Sequence, residues 1–272
     1  MEYLITGGLG FIGQHLTKQL LECGHVVRIV DNMSPQVHSW KQQDFLGSEI
    51  RICDFADVEQ YQDLLDNCEH LIHLAAETGT GQSMYQITRY CEQNINKFAK
   101  LLEALTKISG TRLKSVILSS SRSIYGEGAY TCNSHGRFIA PARSKKNLVG
   151  GKFDAYCPNC GSKGTPVATK ENDLPSPLSV YAATKLAQES LLSSVEMPEN
   201  VLKHIFRFQN VYGPGQSLTN PYTGILAIFS NLSKVGERIN VFEDGLESRD
   251  FVHVQDVARL MIEVMDKQTT HT

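Results

Sequence analysis

Several features are missing from this chain of 272 residues. No apolar run approaches the roughly 18 residues that cross a bilayer; runs such as Val116-Ile117-Leu118 are far shorter. No charged leader with an apolar stretch precedes the first strand signal, so a secretory peptide is not expected. There is no basic surplus either. Lys+Arg is 26 against Asp+Glu 29, a formal net charge of −3, which gives nucleic acid no electrostatic footprint. Repeats and low-complexity tracts are absent, and 21 glycines with 9 prolines match neither collagen nor disorder. The 7 cysteines are an odd count, which suits a reducing, cytoplasmic setting better than a disulfide framework. What remains is ordinary globular material, 41% hydrophobic and 20% charged. A chain this long buries about 75% of its unfolded surface, so it needs no staples and forms one large domain or two packed ones. The expectation is a soluble protein with neither a membrane nor a nucleic-acid partner.

Strand and helix signals alternate along the chain. Tyr3-Leu4-Ile5 is a short apolar run, Ile12, Leu16, Leu20 and Leu21 recur at helical spacing, and Gly24 stands where a helix ends. Val26 to Val30 is rich in β-branched residues, as a strand covered on both faces requires. Further strands are predicted at Ile50–Ile52, His70–Leu74, Ser115–Leu118 and Lys203–Phe208, and helices at Val58–Leu65, Ile95–Leu105 and Tyr181–Ser193. This pattern predicts an α/β fold, a doubly wound parallel sheet with right-handed crossovers. Residues 128–177 show neither period and are expected to be a long functional or stapled loop.

The first turn carries a dinucleotide fingerprint. Gly8-Leu9-Gly10-Phe11-Ile12-Gly13 fits G-x-G-x-x-G, and Gly7, Gly10 and Gly13 fit the G-x-x-G-x-x-G variant. Either pattern alone is weak, but here it follows a strand and opens a helix. Glycines let backbone approach a pyrophosphate, whose charge sits at the positive helix N-terminus. Asp31, 18 residues beyond Gly13, ends the second strand, where a carboxylate accepts hydrogen bonds from the adenosine ribose and repels a 2′-phosphate. NAD rather than NADP is therefore expected in a Rossmann domain. Asp54, ending the third strand, either meets adenine or is a surface turn aspartate.

Tyr181 and Lys185 lie one turn apart on one face of a predicted helix. A free tyrosine has a pKa near 10 and is a poor base at neutral pH; an ammonium one turn away, helped by a nicotinium charge, should favour the phenolate. The Tyr-x-x-x-Lys pair by itself also fits a helix-surface contact. Ser119-Ser120-Ser121 ends the fifth strand at the carboxyl edge where such sheets bind ligands, and a serine there can share the substrate oxygen that the tyrosine deprotonates. The remaining histidines show no partner pattern, and His73 and His253 read as structural.

The 128–177 insertion holds Cys132-Asn133-Ser134-His135 and Cys157-Pro158-Asn159-Cys160-Gly161, with 21 residues between His135 and Cys157. Two such knuckles fit a closed, structural Cys₃His zinc site. A redox pair at Cys157 and Cys160, or four soft residues in a loop, are the other readings. Cys23, Cys53, Cys68 and Cys91 read as small hydrophobes.

Together these residues, with His73-Leu74-Ala75-Ala76, Ile124-Tyr125-Gly126, Arg207-Phe208-Gln209-Asn210-Val211-Tyr212-Gly213-Pro214 and Arg249-Asp250-Phe251-Val252-His253-Val254, resemble the extended short-chain dehydrogenase/reductases. More narrowly they resemble the NAD-dependent nucleotide-sugar epimerase/dehydratases. The resemblance implies a catalytic triad of Ser121, Tyr181 and Lys185. It implies an NAD site of Gly7, Gly10, Phe11, Ile12, Gly13, Asp31, Asn32, Asp54, Phe55, Leu74, Ala75, Ala76, Asn94, Ser119, Tyr181, Lys185 and Phe208, with Asn94 orienting a water or backbone group. Ser83, Ser121, Tyr181, Asn210 and Arg249 would hold a nucleotide-sugar substrate, the last two its diphosphate; Arg249 read on its own could be a surface ion pair with Asp250. Dehydratases of this family carry an Asp-Glu pair after the catalytic hydroxyl; Arg122 and Ser123 stand there instead, which favours reversible oxidation, hence epimerisation at sugar C4, over loss of water.

The knuckled insertion, Ser179 to Glu189, Asn220-Pro221-Tyr222-Thr223-Gly224 and Val241-Phe242-Glu243-Asp244-Gly245 are similar to the dTDP-L-rhamnose 4-epimerase group, where the insertion would wall the sugar pocket. A nucleotide-sugar dehydrogenase, reductase or decarboxylase is the rival activity, and a non-catalytic dinucleotide-binding protein the third. Relatives pair through helices near Ile95 and Tyr181, so a homodimer is expected. The expected domains are an NAD-binding unit at 1–210, with the 128–177 insertion, and a substrate-binding portion at 211–272. Relatives run several dozen residues further, so that portion is expected to be incomplete.

Overall fold

The computed structural model describes residues 1–38, 47–108, 112–198, 200–218 and 224–266. In chain order the first half comprises β1 (Glu2–Thr6), α1 (Phe11–Glu22), β2 (Val26–Asp31), β3 (Ser48–Ile52), α2 (Gln62–Asn67), β4 (His70–His73), α3 (Thr80–Ser83), α4 (Ile87–Cys91), α5 (Lys97–Lys107) and β5 (Ser115–Ser121). Then follow β6 (Ala129–Cys132), β7 (Gly136–Ile139), α6 (Lys145–Val149), β8 (Thr165–Pro166), α7 (Val180–Ser194), β9 (Leu202–Phe208), β10 (Asn210–Tyr212), α8 (Ile225–Val235), β11 (Phe251–His253) and α9 (Val254–Asp266).

Six parallel strands form the main sheet in the order β3-β2-β1-β4-β5-β9. Chain direction across the sheet reverses between β1 and β4, so their carboxyl ends open a crevice at the switch point. Strand alternation splits the apolar residues between two layers. Leu4, Leu71, Val116 and Leu118 meet Phe98, Leu101, Leu105 and Leu192 of α5 and α7. Tyr3, Ile5, Ile72 and Ile117 meet Leu16 and Leu20 of α1 and Val257, Met261 and Met265 of α9. Each such side chain, taken fully out of water, contributes about 1.5–3 kcal/mol before entropy is counted. In α9 the buried positions Val254, Val257, Ala258, Met261, Ile262 and Met265 recur at three- and four-residue spacing, so the helix docks beside α1. The chain beyond residue 210 therefore shares the sheet's core.

Three expectations need correction. Residues 128–177 do contain regular structure: β7-β6-β8 form an antiparallel sheet, with strands of two to four residues too short to show a period. The helix expected at Val58–Leu65 is a 3₁₀ turn at Val58–Gln60 followed by α2. The one expected at Ile95–Leu105 starts at Ile87 and passes through a π turn at Glu92–Asn96. Among the described residues, no helix is long and apolar enough to cross a membrane.

Candidate active site

The glycine turn is built for close approach. Gly7 has φ +73°, and a Cβ there would stand 2.6 Å from Ala75 N; a Cβ on Gly13 would stand 2.5 Å from Gly8 O. Side chains at these positions would push β4 and α1 off the turn, which is why the cradle is glycine. No side chain caps α1 at Gly10, leaving the positive helix end to a ligand's anion. Asp31, 6% exposed, holds the turn from the neighbouring strand: Leu9 N–H donates to Oδ2 at 3.1 Å and Met33 N–H to Oδ1 at 2.9 Å. His38 Nε2 lies 3.1 Å from the same Oδ1, so this histidine has a partner that its sequence context did not suggest. These residues fit a dinucleotide: a backbone cradle for the pyrophosphate and a carboxylate at the strand end.

On the other side of the crevice, Ser179 caps α7, its Oγ accepting Ala182 N–H at 3.1 Å. Tyr181 thus sits in the first turn, where the helix dipole favours an anion. Its phenol faces the Ser121 side chain across the cavity and meets the Tyr90 ring edge-on at 6.4 Å. Ser121 Oγ also accepts Ser123 N–H at 3.1 Å, which fixes it at the end of β5. Lys185 is 2% exposed and donates from Nζ to Ser119 O at 2.8 Å.

The electrostatics differ from expectation. Burial raises the Tyr181 phenol above its ordinary value, and the group that draws it down is Ser121, not Lys185. Burial likewise lowers the Lys185 ammonium to about 7, with Glu189 opposing. Desolvation outweighs the pairwise attraction because both groups lose water before they gain a close partner. This has a measurable consequence. Between about 7 and 10.5 the unfolded chain carries a proton on Lys185 that the folded chain lacks, so stability rises with pH, by up to about 1.4 kcal/mol per pH unit for one proton. Denaturant unfolding of wild type and Lys185→Met across this window should show that rise in the first and its loss in the second.

Gly7, Phe11, Ile12, Gly13, Leu74, Ala76, Ser119, Ser121, Arg122, Tyr181, Lys185, Phe208 and Asn210 all line one cavity of about 730 Å³. A smaller adjoining recess, about 100 Å³, is lined by Asp31, Asn32, Phe55, Ala75 and Gly10. The structure does not bring every expected residue there. Asp54 accepts from Lys97 Nζ at 2.5 Å and from Ala56 N–H at 3.0 Å. Arg249 pairs with Glu247 and donates to Ser248 O; neither it nor Asp54 lines the cavity. Ser83 is buried, its hydroxyl donating to Thr80 O at 2.7 Å. Asn210 reaches the cavity while its Nδ2 donates to Asp250 O at 2.9 Å. Asn94 clamps the backbone of Glu77, accepting N–H at 2.8 Å and donating to O at 3.0 Å, with a further bond to Thr184. No residue of the 128–177 insertion lines the cavity, so among the described residues it does not wall the pocket. It instead reaches Glu243 through Arg143. Of the segments that suggested the narrower resemblance, 220–223 lies outside the described residues.

Sequence reasoning overlooked a buried network behind the site. Arg207 holds the Glu189 carboxylate from β9, and Ser120 Oγ donates to it from β5. The available signal was Glu189 itself, a carboxylate one turn beyond Lys185 on a helix that faces the sheet. The four knuckle residues, by contrast, do converge: the ligand atoms of Cys132, His135, Cys157 and Cys160 all lie within 4.8 Å of one another.

With this geometry in hand, comparison with known proteins is informative. The NAD dependent epimerase/dehydratase family matches residues 3–143 and 157–272, leaving out only a stretch between the two knuckles and the first two residues. A dTDP-L-rhamnose 4-epimerase of Burkholderia thailandensis is 37% identical over 271 residues, covering 97% of this chain and 73% of that protein. The solved UDP-glucose 4-epimerase of Thermotoga maritima superposes with a TM-score of 0.75 at 27% identity, covering 98% of this chain and 74% of the other. A UDP-N-acetylglucosamine 4-epimerase from Methanobrevibacter ruminantium gives 0.73 at 28% identity, over 96% and 71%. Matched along nearly its whole length, and with the glycine cradle and the Ser121–Tyr181 pair facing one cavity, the chain belongs to the NAD dependent epimerase/dehydratase family.

Proposed function

We propose that this protein interconverts the C4 epimers of a nucleotide-diphosphate sugar, with dTDP-L-rhamnose the first substrate to test. The observation that carries the reading is the meeting of Tyr181 and Ser121 in the same cavity as the glycine cradle. Identity to the Burkholderia enzyme supports the choice of sugar. Arg122, where an acid would serve a dehydration, is a cation, so the residues beside Ser121 offer no carboxylate to remove water.

In the proposed cycle Tyr181 Oη takes the proton of the sugar 4-hydroxyl, and Ser121 Oγ donates a hydrogen bond to that oxygen. Lys185, anchored on Ser119 O, stands one helical turn from Tyr181, and its protonated form would steady the phenolate. A bound NAD would supply the reversible hydride acceptor for C4, and inversion requires the 4-keto sugar to turn over in the cavity between the two transfers. Tyr181 then gives its proton back to the oxygen, so no net oxidation remains. Gly7, Gly10, Gly13 and Asp31 hold the dinucleotide, and Asn210 the diphosphate. A homodimer in the cytoplasm completes the proposal. Any cation in the Cys132–His135–Cys157–Cys160 cluster would be structural, since four protein ligands close its shell.

Incubation of the purified protein with dTDP-L-rhamnose, without added cofactor reductant, should give the 4-epimer by NMR and no net rise in NADH absorbance. Stoichiometric NADH release would assign the chain to the dehydrogenases instead.

A further inference from the structure

The insertion ends of β6 and β7 and the turn at 157–161 form two facing knuckles. β6 and β7 pair from Ala129↔Ile139 to Cys132↔Gly136, so the hairpin turn presents Cys132 and His135 side by side. In the second knuckle Gly161 N–H donates to Cys157 O and Cys157 N–H to Ser162 O, both at 2.8 Å. Gly161 has φ +70° with open space around its Cβ direction, so glycine serves the turn's left-handed backbone and not its packing. The turn folds Cys160 back over Cys157, facing the first knuckle.

The distances between ligand atoms are diagnostic. Cys132 Sγ lies 3.6 Å from Cys160 Sγ and 3.8 Å from His135 Nδ1, and Cys157 Sγ lies 3.7 Å from His135 Nδ1. A tetrahedral zinc with bonds of about 2.3 Å to sulfur and 2.0–2.1 Å to nitrogen has edges of about 3.8 Å (S···S) and 3.6 Å (S···N). A disulfide would need about 2.05 Å between sulfurs, and three cysteines cannot all be paired. Cys132 and Cys157 are 4% and 2% exposed, and Ser162 Oγ lies 3.3 Å from Cys160 Sγ as an outer hydrogen-bond partner.

We infer that Cys132, His135, Cys157 and Cys160 form a tetrahedral site for a thiophilic divalent cation, zinc by its ligand chemistry, that fixes the insertion. The insertion has few large apolar side chains to offset its ordering entropy, and a metal bridge between two short hairpins supplies what a core otherwise would. From there the insertion is tied to the rest of the chain by Ser176 N–H on Ile124 O at 2.7 Å and by Arg143, which spans Glu127 and Glu243.

The test reads metal, not turnover, so it is separable from the epimerase reading. Full-length protein purified without a chelator or a histidine tag should carry about one zinc per chain by mass spectrometry. Replacement with cobalt(II) should give thiolate charge-transfer bands and the strong visible bands of a tetrahedral site. His135→Ala should lose most of the zinc and His135→Cys should keep it. Chelation should make cleavage by trypsin at the exposed Lys145 and Lys146 about tenfold faster. Reduced protein free of zinc, octahedral cobalt spectra, a disulfide within the cluster, or cleavage indifferent to chelation would each overturn the assignment.

Discussion

Replacing Tyr181 by phenylalanine should lower kcat by about 10²–10⁴-fold while dinucleotide and nucleotide-sugar binding change little. The ring would stay: it packs edge-on against Tyr90 from a capped helix turn, and phenylalanine preserves that surface. Only the hydroxyl is lost, and with it the atom that exchanges a proton with the sugar oxygen. A loss of 10³ corresponds to about 4 kcal/mol of transition-state stabilisation. Ser121 does not take over, because an aliphatic hydroxyl ionises far less readily than a phenol and exchanges a proton with the sugar oxygen correspondingly poorly. KM is expected to move much less than kcat, since the interaction at stake develops with the transferring proton. Turnover by Tyr181→Phe at the wild-type rate, with the fold intact by circular dichroism, would falsify the catalytic assignment.

How far this site could be read from the sequence depended on how local each feature was. The glycine cradle is a contiguous signal, and the strand before it and helix after it supply its context, so Gly7 to Gly13 and Asp31 fall where expected. Tyr181 and Lys185 are one helical turn apart, so their shared face was legible too. The knuckles were legible because ligand spacing is itself local, and the structure brings all four residues together. What was not legible is whatever a second strand or loop decides. Lys185 reaches the backbone of Ser119 and is desolvated there; a spacing rule registers the pair but not the burial that dominates it. Arg249 and Asp54 sit next to matching motifs, yet their charges are met by Glu247 and Lys97. The strands of the insertion are too short to have a period: β6 and β7 close a tight hairpin, and β8 joins it from the far end of the insertion, Thr165 against Thr131. Glu189 was hidden for the same reason, its partner arriving from β9.

That hidden pair gives the largest expected effect on stability. Arg207→Met should destabilise the fold by about 3–5 kcal/mol, lowering Tm by about 10 °C for a chain of this size. Glu189 is 5% exposed, and its carboxylate receives Arg207 Nε at 3.1 Å and Nη2 at 2.8 Å. The same guanidinium donates to Glu171 O and to the Tyr125 hydroxyl and lies over the Tyr125 ring. Without it, Glu189 would keep the Ser120 hydroxyl but no strong cation, because the nearest, Lys185, is itself pushed towards neutrality. An uncompensated buried carboxylate costs several kcal/mol; two missing partners cost far less. The double variant Arg207→Met/Glu189→Gln should therefore recover much of the loss, and the coupling from the four-member cycle measures the pair. Additive single losses would mean that Arg207 acts through packing alone. The pair also touches catalysis. Glu189 raises the pKa of Lys185, and Arg207 balances that negative charge, so Arg207→Met should move the Lys185 titration upward. The double variant should move it back down. A merely structural role for Arg207 predicts no such reversal in the pH profile.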